Sequence, residues 1–511
     1  MNAGTVQIER ERNLALRRAD WRFLLPEPNP SSAVCFAPGL LRQAVGLVTD
    51  VAYEPDEAPV GGCDLAVVVN PTDGDLVAAW RCLRSGGALY AEWYGPRPAG
   101  VARAHRRVSR AGFLQPQCYW PWPSPDQGAA RFWLPIEHLP AVRYFLATRP
   151  PAIAMRERVL TPIRRAAWIG ARALGLTSPT CVVAIKGSRA AGVAPRASRV
   201  LLTGGPRSVS KAVALEFEPG ATAPGIALKW PRVPESAAAL GNEARTLAAL
   251  QRPALEGVPR LIHFDDRTGE LGQTVLRGQP VWTLLTPRNF RDIAAQATRW
   301  LVRLAQGSSP REPEAWRVRL IEPVVERFRA EFGPIISERD FDRSCQILAG
   351  LGPVPLVTEH RDFSPWNVLC DEDRNLVVLD WESAELHGLP LTDLLYFLAY
   401  LGFFLRGGTH FEPPHMRGVY RAVMDPASAT GAAVAECLNT YARSLGLGQA
   451  DVAALRLFTW MIHAHSEYQH FSADVGATPP PDVLRRSLFV ALWEEELRSH
   501  ADVPGEPLCT S

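Results

Sequence analysis

His360, Asp362 and Asn367 stand as H-x-D-x-x-x-x-N in the segment EHRDFSPWNVLCDEDRNLVVLDWESA, and a second apolar run then ends at Asp380. Phosphoryl transfer to an alcohol needs a carboxylate to orient the hydroxyl and accept its proton. It also needs hard oxygen ligands that hold Mg²⁺ against a triphosphate. Asp362 suits the first task, and Asn367 with Asp380 the second. The bland alternative is a turn-rich loop whose polar residues only cap and solvate, but the complete ordered set favours chemistry.

These residues must be positioned by a hairpin, because Asn367 to Cys370 and Leu376 to Asp380 flank the polar DEDRN. A two-residue turn at Asp373-Arg374 sets Asn367 directly opposite Asp380, close enough to share one metal. Upstream, strand alternation in Gly225-Ile-Ala-Leu-Lys-Trp sets Lys229 apart from Ile226, Leu228 and Trp230. Lysine is rare here: it occurs only at 186, 211 and 229 among 55 basic residues, so Lys229 needs a reason. Glu243 lies on a helix between Leu240 and Leu247, on the apolar face, where a carboxylate requires a partner. A Lys229–Glu243 ion pair meets that need and aims an ammonium at nucleotide phosphates. Gly204, Gly205 and Ser208 in LLTGGPRSVSKAVALEF offer a turn whose backbone N–H groups can approach phosphates, although the full G-x-G-x-x-G is missing.

Together these residues resemble the aminoglycoside phosphotransferase and choline kinase-like family, the small-molecule branch of the protein-kinase-like fold, over about 200 to 475. The resemblance implies that Asp362 is the catalytic aspartate and that Asn367 and Asp380 bind magnesium. It implies that Lys229 binds ATP phosphates, that Glu243 positions Lys229, and that His360 braces the loop. Gly388, Pro390 and Asp393 match the family's G-x-P-x-x-D pattern, which makes Asp393 a second brace. LGQTVLRGQPVW looks like the hinge between lobes, with backbone near Val275 meeting adenine.

The preceding part alternates strand-like runs (33 to 39, 64 to 69, 87 to 93) with helical stretches, the pattern of an α/β layer with a largely parallel sheet. A helix is expected from Ile153 to Leu174 and a strand from Cys181 to Ile185. Residues 20–187 resemble a class I methyltransferase, but the turn Phe36-Ala-Pro-Gly has only Gly39 where that fold wants several glycines. Glu54 or Asp50 is a candidate ribose-binding acid. A degenerate methyltransferase-like scaffold that does not use S-adenosylmethionine (SAM) is therefore expected, an active methyltransferase being the alternative.

The expected fold class is an α/β Rossmann-like domain over 20–187, a linker at 188–199 and an α+β bilobal kinase-like domain over 200–500, with an N-lobe at 200–277 and a C-lobe at 278–500. Composition agrees: 511 residues suit more than one domain, and 47% hydrophobic with 21% charged residues describes a globular chain. A net charge of +2 without basic runs argues against nucleic acid or membrane as partners. The nine cysteines form no C-x-x-C pair, which suits a reducing cytoplasm. His463, Glu467 and His470 share one helical face at metal-ligand spacing, yet a buried or acceptor-site helix explains them better. The aromatics between 112 and 133 are expected to cover a sheet edge.

The expected function is ATP- and Mg²⁺-dependent phosphorylation of a small-molecule hydroxyl, such as that of a sugar, an aminoglycoside-like compound or an amino alcohol. The alternative is a non-catalytic pseudokinase and pseudo-methyltransferase that scaffolds or regulates other proteins.

Overall fold

The computed structural model describes residues 12–95, 100–148, 170, 179–187, 197–204, 211–251, 255–307, 316–406 and 413–501. The expected helix at Ile153–Leu174, save Gly170, most of the expected linker, Gly205 and Ser208 lie outside them. The chain forms two compact units, one built from Gln7–Ala244 and Arg260–Val275, the other from Arg245–Pro259 and Leu276–Ser511.

Among the described residues the first unit is organised by one sheet of twelve strands: β1 (Ser32–Cys35), β2 (Val51–Tyr53), β3 (Cys63–Val69), β4 (Leu83–Trp93), β5 (Phe113–Trp122), β6 (Phe132–Pro135), β7 (Thr180–Lys186), β8 (Ser198–Leu202), β9 (Lys211–Phe217), β10 (Ile226–Pro231), β11 (Leu261–Asp265) and β12 (Glu270–Thr274). Their spatial order is β11-β12-β10-β9-β8-β6-β5-β7-β4-β3-β1-β2. The run β2-β1-β3-β4 is parallel, and every later pairing is antiparallel. Helices Leu40–Val48 and Asp73–Cys82 make two of the three connections of the parallel part, β1 to β2 and β3 to β4, and the second starts on a capping box between Thr72 and Asp75. Consistent with burial on both faces, β3 reads CDLAVVV, with Leu65 to Val68 fully buried.

Antiparallel pairing of β6 with β8, through Phe132↔Leu202 and Trp133↔Leu201, carries the sheet across the expected linker without a break. One apolar core follows it, running from Trp21, Phe23 and Tyr90 through Trp133 to Leu201, Leu228 and Trp230. The aromatic stretch after residue 112 supplies two inner strands, β5 and β6, and does not cover an edge. Pro116 fits because β5 is irregular between Leu114 and Gln117, where Gln115 adopts φ 48°.

The second unit is mostly helical. Two small sheets hold its loops: β13 (Gln279–Pro280) with β15 (Val368–Cys370) and β16 (Leu376–Val378), and β14 (Val357–Glu359) with β17 (Glu385–Gly388). Helix Thr392–Leu405 is apolar on all sides and buried from Thr392 to Phe403, so it forms the centre on which helices Phe290–Gln306, Pro413–Met424, Ala429–Leu445 and Gln449–Val475 pack. Among the described residues no helix is long and apolar enough to cross a membrane.

A chain that starts at residue 188 loses β6 from the edge of β8 and removes Asp20 from its buried ion pair with Arg232. Stranding one partner of such a pair costs about 3–5 kcal/mol. The truncated chain is expected to be insoluble, or to melt well below the full chain by circular dichroism.

Candidate active site

Asp393 stands one residue into helix Thr392–Leu405 and is buried, with both oxygens turned back toward the end of β14. The His360 N–H donates to Asp393 Oδ2 at 2.6 Å and the Arg361 N–H to Oδ1 at 2.8 Å. This clamp holds the chain through Arg361, which adopts φ 63°, a region that side-chain-bearing residues rarely enter. Beside it, Glu359 accepts from Thr392 Oγ1 at 2.5 Å and from Arg361 Nε at 3.2 Å. Gly388 pairs with Val357 across β14–β17, and a Cβ there would lie 1.9 Å from Glu359 Oε2, so only glycine fits.

His360 ties the next two turns together. Its Nδ1 accepts the Asp362 N–H at 3.2 Å, so the proton resides on Nε2, which donates to the Leu379 carbonyl at 2.8 Å. The imidazole packs edge-on against Trp381, which is buried and donates to the Val378 carbonyl. Trp300 stacks on Phe363 and supports Trp381 from the helix side.

Asn367 Nδ2 donates to Asp362 Oδ2 at 2.6 Å and to the Asp362 carbonyl at 3.1 Å. Because a carboxylate only accepts, the Asn367 amide is oriented with NH₂ toward Asp362 and its carbonyl oxygen elsewhere. The expected register is off by one. Val368 pairs with Val378 and the Leu379 N–H donates to the Asn367 carbonyl, so Asn367 faces Leu379, not Asp380. The turn holds three residues, closed by Asp371 N–H to Asn375 O, with Arg374 at φ 65°. Asp380 lies just past the ladder at φ 71°, ψ 63°. Asparagine and aspartate together offer the hard oxygen donors that suit magnesium.

Lys229 Nζ donates to Glu243 Oε1 at 2.6 Å, with both side chains almost fully buried. Lys229 stands in β10 opposite Val213 on one side and Leu271 on the other. Gly204 is exposed at φ 69° just beyond β8, and the Val275 N–H donates to the Gly225 carbonyl at 3.4 Å.

Sequence reasoning missed the aromatic surroundings of Asp362. Tyr396 and Tyr400 hold raised phenol pKa values, through burial first and partly through the Asp362 carboxylate nearby. Trp366 is partly exposed and meets Tyr400 edge-on at 5.0 Å. The i, i+4 tyrosines after Asp393 carried the signal. His463 stacks on Tyr396 at 3.9 Å, and burial, with the Arg361 guanidinium, pushes it down to about 3. Glu467 accepts from Ser487 Oγ and the Leu488 N–H at the start of helix Leu488–Ala501, and is thus a cap.

Residues 191–429, just under half of the chain, match the family model described as "Phosphotransferase enzyme family". None of the curated proteins compared matches the chain. Similar solved structures include the GDP and kanamycin complex of APH(2")-IIia, at 16% identity and TM-score 0.36, covering 58% of this chain and 93% of that one. The macrolide 2'-phosphotransferase MphH from Brachybacterium faecium is 18% identical at TM-score 0.35, covering 61% and 93%. A choline/ethanolamine kinase family protein from Mesorhizobium loti is 19% identical at TM-score 0.29, covering 52% and 94%. The family match supports an enzyme of the small-molecule kinase type.

Burial and the neighbouring Glu359 carboxylate push Asp393 up to about 7, against the two N–H bonds that favour its charged form. With an unfolded value near ~3.9, the folded chain holds the extra proton between about pH 4 and 7, so this group costs stability as pH rises through that window. Replacing Glu359 by Gln removes the like charge. Melting temperatures measured from pH 4 to 7 should therefore fall less with rising pH in Glu359→Gln than in the wild type.

Proposed function

We propose that the chain transfers the γ-phosphoryl group of ATP to a hydroxyl of a small molecule, with Asp362 as the catalytic base. The observation that carries this reading is the 2.6 Å bond from the Asn367 amide to Asp362, on a loop whose backbone is held by Asp393. Asp362 accepts a hydrogen bond from the acceptor hydroxyl and takes its proton as the acceptor oxygen bonds to phosphorus and the bond to the β–γ bridging oxygen breaks. ADP leaves. Asn367, through its carbonyl oxygen, and Asp380 would hold Mg²⁺, which neutralises charge on the phosphate oxygens.

Lys229 presents its ammonium to phosphate and Glu243 keeps it in place, a task for a compact point charge. Gly204 lends backbone to the phosphates and Val275 to adenine. The acceptor, a sugar or amino alcohol, is recognised beside Asp362 by Trp366, Tyr396 and Tyr400, whose rings suit a carbon-bound hydroxyl with apolar faces. The described cysteines are all free thiols, which supports a reducing, cytoplasmic setting.

The methyltransferase-like part we read as a Rossmann-like scaffold without SAM chemistry. Its four parallel strands with helical crossovers support the fold. Arg42 supports the loss of chemistry: it donates to the carbonyls of Cys35 at 2.7 Å and Ala37 at 3.1 Å and pairs with Glu54, one of the two candidate ribose ligands. A wholly non-catalytic scaffold finds no comparable support in the Asp362 loop.

Asp362→Asn is expected to lower kcat by at least roughly 100-fold while MgATP still binds, as general-base losses do. Asp380→Ala should abolish the metal dependence of nucleotide binding in isothermal titration. Wild type that neither binds MgATP nor releases ADP with any acceptor in a sugar and amino-alcohol panel would sink the proposal.

A further inference from the structure

Helical residues 12–18 and the short helix Asp20–Leu24 sit in the same unit as β8 and β10 and send two arginines, Arg17 and Arg22, and one aspartate, Asp20, into one buried cluster with Arg232, which follows β10. Asp20 accepts from Arg232 Nε at 2.7 Å and Nη2 at 3.1 Å, and both side chains are fully buried. Arg22 Nη2 donates to the Arg232 carbonyl at 2.8 Å. Arg17 reaches further: its Nε donates to Gly128 O at 3.0 Å, its Nη1 to Thr203 O at 3.2 Å, and its Nη2 to Ala130 O at 3.3 Å and Gly204 O at 3.2 Å. Arg232 Nη2 adds a second donor to Thr203 O at 3.0 Å. Thr203 is itself pinned, with its N–H on Arg131 O and its hydroxyl on Ala130 O. Close seating is enforced by Gly128, where a Cβ would lie 2.5 Å from the Leu14 carbonyl.

Two successive carbonyls, Thr203 and Gly204, are thus turned inward onto guanidinium groups. In a planar trans peptide the C=O and the following N–H point in opposite directions, so the Gly204 N–H points away from the cluster. Gly204 is exposed, and at φ 69° its backbone departs from β8. Three guanidiniums against one carboxylate leave this cluster positively charged, which favours an anion on the side the amide faces. Burial works against both Arg17 and Arg22, lowering Arg22 to about 10, so the arrangement is held against a desolvation cost that ordinary surface anchoring does not incur.

We propose that Arg17 and Arg232, locked by Asp20, are positioning residues for a nucleoside triphosphate: they set the Thr203–Gly204 backbone so that its amide meets a phosphate oxygen. The role rests on the phosphotransfer reading above. It makes the N-terminal segment a working part of the nucleotide-binding lobe, in the place where a glycine-richer turn would supply the N–H groups.

The comparison that tests it pairs Arg17→Gln with Arg18→Gln. Arg18 lies on the same helical segment and is buried in a bidentate pair with Glu92, at 2.7 and 2.5 Å, but does not touch Thr203 or Gly204. Both variants should lose thermal stability. At a temperature well below both melting points, Arg17→Gln should raise the MgATP dissociation constant roughly tenfold or more, as loss of charged hydrogen bonds does, and Arg18→Gln by no more than about twofold, the size expected of a residue that shares no partner with Thr203 or Gly204. Arg17→Lys keeps the charge but not the fork, and should fall between. Equal weakening by Arg17→Gln and Arg18→Gln, or none by Arg17→Gln, overturns the positioning role while leaving phosphotransfer intact. Absence of MgATP binding in the wild type overturns both. If Arg17→Gln does not fold, Arg17→Lys decides: weaker binding supports the proposal and unchanged binding refutes it.

Discussion

Two backbone N–H groups, those of His360 and Arg361, converge on the buried carboxylate of Asp393, and the geometry of the Asp362 loop follows from that clamp. Arg361 can hold its left-handed backbone because neighbouring contacts over-determine it: the clamp on one side and the Glu359 contact on the other. The bend delivers the Asp362 N–H to His360, and His360 in turn fixes Leu379, the residue before Asp380. Asp362 and Asp380, the proposed base and a proposed metal ligand, lie 18 positions apart in sequence and are thereby tied through one imidazole. Glu359 is part of the same device and a burden on it, since its charge opposes that of Asp393 while its carboxylate orders Thr392 and Arg361.

The other governing constraint is the continuity of the twelve-stranded sheet. A parallel α/β layer and a strand-rich kinase-type lobe share a core in which Trp21, Tyr90, Trp133 and Trp230 belong to one cluster. Folding one part without the other would expose the edge of β8 and strand buried charges of the Asp20–Arg232 group. The strand-rich part therefore depends for its packing on the layer before it.

Much of the site was legible in the sequence because it is local. H-x-D-x-x-x-x-N states its own loop, and the rarity of lysine singled out Lys229, whose pairing with Glu243 follows from strand alternation and helix periodicity. The hairpin register was not legible. A three-residue turn with Arg374 in the left-handed region looks the same on paper as a two-residue one, yet it moves Asn367 from Asp380 to Leu379. Strands β5 and β6 were hidden by Pro116 and Pro121, which argue against an inner strand until the irregularity at Gln115 is seen. The fusion of the sheet depends on Phe132 meeting Leu202 across seventy positions, a pairing with no local signature. Arg17 and Arg232 were concealed by the very bias that exposed Lys229, since arginine is common throughout this chain.

The account stands or falls on where a metal–nucleotide complex binds relative to the Asp362 loop. A crystal of the full chain grown with Mn²⁺ and a non-hydrolysable ATP analogue, with anomalous data at the manganese edge, measures it. The account predicts an anomalous peak about 2 Å from the Asn367 side-chain amide oxygen and an Asp380 oxygen, with the Asn367 NH₂ still on Asp362. A peak held by other residues, or nucleotide bound with Asn367 turned away from the metal, would contradict it.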